Sequence, residues 1–117
     1  MLSFALPERI WVARQPVDGR LHFNGLSGLV QTQLASDPLS GQLFVFTNRR
    51  RNRLKLLYWD GTGLWICAKR LEQGTFAWPT DPDPGSAAVR FDPPALWRLI
   101  PGIAVRERRG WDRKNVV

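Results

Sequence analysis

The sequence predicts an α+β domain: an antiparallel meander of three to four strands, one packed N-terminal helix and a short C-terminal helix. Three observations predict it. Leu43 to Thr47, Arg53 to Trp59 and Leu64 to Leu71 are apolar, β-branched or aromatic runs with turn residues between them. Leu26, Leu29, Val30 and Leu34 recur at helical spacing, with Phe23 one turn earlier. Asp92-Pro93-Pro94 is a helix start, with Asp as cap and Pro at the first helical position.

In chain order, Arg9 to Arg14 (Arg-Ile-Trp-Val-Ala-Arg) reads as a first strand. Gln15-Pro16-Val17-Asp18-Gly19 turns the chain, and Asp18 is a candidate N-cap for a helix over about residues 20 to 35. Gly25 and Gly28 weaken that helix, each by about 1 kcal/mol relative to Ala, or permit close packing on a sheet. Ser36 to Gly41 ends it. The strand Leu43 to Thr47 is followed by a basic turn, Asn48-Arg49-Arg50-Arg51-Asn52, and the strand Arg53 to Trp59. Asp60-Gly61 is a hairpin signal, because Gly supplies the positive φ of a tight turn. Leu64 to Leu71 returns, and Phe76 to Trp78 is expected to form a short final pairing. Asp81-Pro82-Asp83-Pro84-Gly85 is a break. Ala88 to Phe91 is extended, and the short helix from Ala95 to Ile100 is stopped by Pro101-Gly102. Residues 1–105 are thus expected to form a single domain, and 106–117 a basic tail that frays.

Charge narrows the partners. Seventeen basic residues against ten acidic ones give a net charge of +7, which points to anionic partners such as nucleic acid or an acidic protein. From Arg49 to Arg70 there are seven basic residues and one acid; from Arg106 to Lys114 there are five and two. One cysteine excludes an internal disulfide, and Cys67 reads as a structural thiol within a strand. The start, Met1 to Leu6, is apolar but short and lacks a basic n-region, and no run approaches the roughly 20 apolar residues of a membrane span. A soluble, cytoplasmic, bacterial protein without a membrane partner is expected, associated with the nucleoid if it binds DNA.

The catalytic inventory is thin, and no enzyme activity and no cofactor are expected. His22 is the one histidine, no metal-binding spacing is present, and His22, Ser27 and Asp18 lack any nucleophile context. The acids fall at caps and turns, where Asp bonds backbone amides. The binding inventory is richer. Arg49, Arg50, Arg51, Arg53 and Lys55 lie on one predicted hairpin, and Lys69 and Arg70 return beside it. Arginine offers a planar fork of donors to phosphate. Asn48 and Asn52 can read adenine, but they are also turn formers, which is the favoured reading. Trp59, Trp65 and Trp78 are candidates for stacking on bases; aromatics in a meander also fill cores, and that is the stronger expectation.

These pieces in their order resemble a known family. Pro16-Val17-Asp18-Gly19-Arg20, Phe23 to Val30, Asp37 to Phe46, Asn48 to Arg51, Lys55 to Gly61, Lys69 to Glu72 and Gly74 to Pro79 are similar to the small TnpB accessory protein of IS-sixty-six-type bacterial insertion sequences. That family is distinct from the RNA-guided nucleases that share the TnpB name. The match runs from about Arg9 to Pro79, and the region beyond is looser. The chain departs from the family's usual residues at Gly19-Arg20-Leu21 and Asn24. The resemblance implies a non-catalytic part in transposition, beside a larger transposase encoded by the same element. Within that role the basic hairpin makes binding of element-end DNA the first expectation, and a protein–protein adaptor that docks on the transposase or another accessory protein is the alternative.

Overall fold

The computed structural model describes residues 6–79 and 85–103. It contains β1 (Ile10–Ala13), α1 (Phe23–Thr32), β2 (Leu43–Thr47), β3 (Arg53–Trp59), β4 (Leu64–Arg70), β5 (Ala88–Phe91) and α2 (Pro93–Leu99). The strands form one sheet in the order β4-β3-β2-β1-β5.

The α+β class holds, and β2-β3-β4 is the expected antiparallel meander. The sheet as a whole corrects the expectation, since it is mixed and has five strands. β1 lies parallel to β2, with Ile10 opposite Leu43 and Val12 opposite Val45. The long connection through α1 makes this possible, because parallel neighbours need a crossover rather than a hairpin. β5 then closes the far edge antiparallel to β1.

Both faces of the sheet are covered. On one, Leu26 and Val30 of α1 pack with Ala13, Phe44, Phe46 and Leu57. On the other, Leu96 and Leu99 of α2 join Ile10, Val12, Leu43, Val45, Leu54 and Leu56. Every residue of β2 is buried, as expected of a strand covered on both sides. Phe76 and Trp78 belong to the second core and form no strand. The expected pairing is replaced by a single bridge between Thr75 and Ile103. Phe76 N donates to Arg51 O at 2.8 Å, and the Trp78 indole donates to Ala13 O at 2.8 Å.

α1 is shorter than the expected span. Its N-cap is His22, with no side-chain bond. Asp18 is not the cap: its carboxylate accepts from Arg20, and its carbonyl accepts from Leu21 N in a separate turn. At the other end Ser36 N donates to Val30 O, and Ala35 adopts φ +50°. The helix thus stops with alanine in the left-handed position usually held by glycine. α2 starts as expected: Asp92 Oδ1 accepts from Ala95 N at 2.9 Å, and Pro93 is the first helical residue. The expected basic tail from Arg106 and most of the Asp81 to Gly85 break lie outside the described residues.

Candidate nucleic-acid interface

The β2-β3 turn is built by asparagine. Asn48 Oδ1 accepts from Asn52 N at 3.1 Å and from Arg53 N at 3.0 Å. Asn48 Nδ2 donates to Asn52 Oδ1 at 2.8 Å, so the two side chains are tied together inside the turn. Thr47, itself buried, ties the neck by donating its hydroxyl to Arg53 O at 2.8 Å. Arg51 sits at φ +58°, a left-handed conformation that costs an L-residue with a Cβ about 1–2 kcal/mol.

This bracing holds the arginines outward. Arg49, Arg50 and Arg53 are exposed, and Arg51 is half-buried. None of these four forms an ion pair with a described carboxylate. Beside the turn runs the loop from Pro16 to Gly19, held by a bond from Val17 N to Thr47 O at 2.8 Å. The loop lies against the turn, and a Cβ on Gly19 would meet Arg53 Cδ and Asn48 Cβ at ordinary contact distance, 3.4 Å from each. Between loop and turn lies an open cleft of about 360 Å³ that Asn48, Arg49 and Arg50 line on one side and Asp18 on the other.

Asp18 is neutralised in place. Arg20 grips it with two guanidinium bonds, at 3.0 and 2.8 Å. The same contacts, together with the Arg20 amide, hold the Asp18 carboxyl down at about 2. The cleft therefore faces solvent with the arginines unopposed. Sequence reasoning missed this loop as part of the site; the signal was the Asp18-Gly19-Arg20 spacing, read instead as a helix cap.

The other candidate residues do not form one patch. Directly opposed residues in a ladder share a face, so Arg53 and Arg70 lie on the α1 side while Lys69, opposite Leu54, lies on the α2 side. Lys69 Nζ donates to Ile100 O at 3.0 Å, and Arg70 pairs with Glu72 at 3.1 Å. Lys55 is a strut: its Nζ donates to Leu21 O at 2.6 Å, binding β3 to the entry of α1. The tryptophans also divide. Trp78 is 5% exposed, so its faces cannot stack on a base. Trp59 and Trp65 project from opposite faces of the β3-β4 hairpin, as their partners Leu64 and Tyr58 require. Trp65 is 48% exposed, and its indole donates to Asp60 Oδ2 at 2.7 Å. Asp60 also accepts from the amides of Thr62 and Gly63, and with Trp65 these bonds push its carboxyl far below the usual carboxylate range.

Among the described residues no three His, Cys, Asp or Glu side chains gather as a metal site, and no helix is long and apolar enough to cross a membrane. His22 stands at the start of α1, its ring edge-on to Phe23 at 4.5 Å. Cys67 is half-buried, which pushes its thiol up.

Comparison with known proteins identifies the family. A family model described as IS66 Orf2 like protein matches residues 8–110. An uncharacterized protein, y4jC, of Sinorhizobium fredii is 42% identical over 95 residues, covering 81% of this chain and 79% of its own length. A second from the same organism, y4hO, is 38% identical over 103 residues, covering 88% and 87%. No solved structure matches. The family match spans the hairpin, the cleft loop and both helices: the chain belongs to the IS66 Orf2-like family, and its role is that of an accessory protein in transposition.

Proposed function

We propose that this protein binds the ends of its insertion element as duplex DNA, using the β2-β3 turn to grip phosphates. Arg49, Arg50 and Arg53 make the contacts, and Arg51 at the tip makes a fourth. One observation carries this reading: exposed arginines without carboxylate partners among the described residues stand on a turn that side-chain amides and a buried threonine hold rigid. A rigid base lowers the ordering entropy of binding. Because Asn48 and the side-chain carbonyl of Asn52 are engaged within the turn, the two asparagines are held as turn formers rather than turned outward as adenine forks. Backbone contact and groove shape then dominate over base readout. Lys69 and the half-exposed Trp65 lie on the α2 face and outside this contact, while Arg70 stands across from Arg53 on the α1 face but is paired with Glu72.

The test is binding of a labelled duplex carrying the element-end repeat, beside a scrambled duplex, across a salt series. Affinity should fall linearly with salt on logarithmic axes, with a slope of about −0.9 per phosphate contacted. The ratio between the two duplexes should be small. Absence of binding at low salt, despite a net charge of +7, would refute the proposal.

A second reading, an adaptor that docks on the transposase or another accessory protein, is favoured by the half-exposed Trp97 beside an apolar groove. The two roles use different faces and are compatible.

A further inference from the structure

β4 is an edge strand, with no strand on its outer side among the described residues. The register says which of its backbone groups face outward. Asp60 N donates to Gly63 O at one end of the ladder, and Leu71 N donates to Asn52 O at the other. Bonded and non-bonded pairs alternate along an antiparallel ladder. Stepping inward from both ends gives the same answer: Tyr58–Trp65, Leu56–Cys67 and Leu54–Lys69 are the bonded pairs. The N–H and C=O groups of Leu64, Ile66, Ala68 and Arg70 therefore point away from β3.

Beside this edge, on the α2 face, lies an apolar groove of about 500 Å³ lined by Leu54, Leu56, Cys67, Trp97 and Ile100. Trp97 forms a wall and is 50% exposed. Lys69 spans the mouth, from β4 to the carbonyl of Ile100 at 3.0 Å. On the opposite face of the same strand stand Arg70 and, across from it, Arg53. The edge thus offers main-chain bonds, one apolar slot and positive charge on both sides.

The geometry points to this edge and groove as the docking site for an extended acidic segment of another protein, added to the sheet as a strand outside β4. One apolar side chain of that segment fills the groove, and its carboxylates lie by Lys69 and Arg70. Strand addition takes affinity from main-chain bonds and specificity from side-chain pockets. Charge decides among the occupants. A second copy of this chain carries +7, and residues 104–117 hold five basic residues against two acidic ones. Lysine on an edge strand also discourages pairing with a like strand. An acidic partner meets neither obstacle.

A random peptide phage library selected on the immobilised full chain tests this, with enriched peptides then synthesised, labelled and titrated. The expected peptides carry Asp or Glu interleaved with β-branched apolar residues. Ala68→Pro should weaken them by about tenfold, because it removes an outward donor. It should leave the fold intact, since Pro is tolerated where an edge N–H faces solvent. Trp97→Ala, at a half-exposed position, should weaken them as well, and Lys69→Glu should shift selection away from acidic sequences. Binding of duplex DNA is measured in parallel. Ala68→Pro and Trp97→Ala should leave it unchanged, so the peptide site can fail while the DNA reading stands, and the reverse. Peptides with no acidic bias, or indifferent to both Ala68→Pro and Trp97→Ala, would overturn the proposal. So would a dimer in sedimentation that Ala68→Pro dissociates, which assigns the edge to a second copy. Peptide binding that appears only after residues 104–117 are removed would assign the groove to the chain's own C-terminal segment, and overturn it equally.

Discussion

Replacing Arg51 by glycine separates the work of this residue in the fold from its work in binding. Its φ of +58° costs about 1–2 kcal/mol for a residue with a Cβ, a cost that glycine does not carry. Glycine in turn loses about 0.5–1 kcal/mol through the greater freedom of its unfolded chain. The backbone bonds of the turn, Arg51 N to Asn48 O and Phe76 N to Arg51 O, survive the change. The net result should be stabilisation by about 0.5 kcal/mol, which raises the urea midpoint by about 0.3 M at a slope of ~1.5 kcal/mol/M. DNA binding should move the other way. Loss of one cation at the tip should reduce the salt slope by about 0.9 and weaken affinity at every salt concentration. Circular dichroism in urea and fluorescence anisotropy with a labelled duplex read the two effects separately. A variant that is less stable would refute the strain argument. One with an unaltered salt slope would remove Arg51 from the contact.

Further expectations follow from the same geometry. Ala35→Gly relieves the left-handed residue that stops α1 and should stabilise the protein by about 0.5–1 kcal/mol in urea unfolding. Trp78→Phe leaves the buried carbonyl of Ala13 without its donor and should cost about 1–3 kcal/mol in the same assay. The carboxyls of Asp18 and Asp60 are both held below their ordinary value, so their contribution is complete above about pH 4 and is lost as the pH falls through the folded values. Carboxyl NMR should find Asp18 titrating at about 2 in the parent and higher in Arg20→Ala, though still below its ordinary value because the amide of residue 20 remains; no change between the two would dismiss the Arg20 fork.

Much of this was legible in the sequence, and the failures share a physical cause. The hairpins of β2, β3 and β4 were readable because Asn48 to Asn52 and Asp60-Gly61 are local turn chemistry. Asp92-Pro93 announced α2 for the same reason. The parallel placement of β1 was not readable, because nothing local distinguishes a strand that pairs after a crossover from one that pairs through a turn. Asp18 satisfied the pattern of a cap, but Arg20 two residues on was the stronger partner. Lys69 and Arg70 looked like one cluster in the chain, yet successive strand residues face opposite ways. Trp78 carried both readings, stacking surface and core filler, and its long-range bond to Ala13 goes with the core, which was the stronger expectation. The groove beneath Trp97 joins residues from β3, β4 and the α2 end that are distant in the chain, so no motif could announce it.

The most direct test of the central claim is the double substitution Arg49→Ala/Arg50→Ala, titrated with the element-end duplex over a salt series beside the parent. Both side chains are exposed and without ion-pair partners among the described residues, so the fold should be unaffected. The account predicts weaker binding and a salt slope shallower by about 1.8, the loss of two phosphate contacts. A variant that binds as tightly as the parent, with the parent's slope, would contradict it and move DNA contact away from this hairpin.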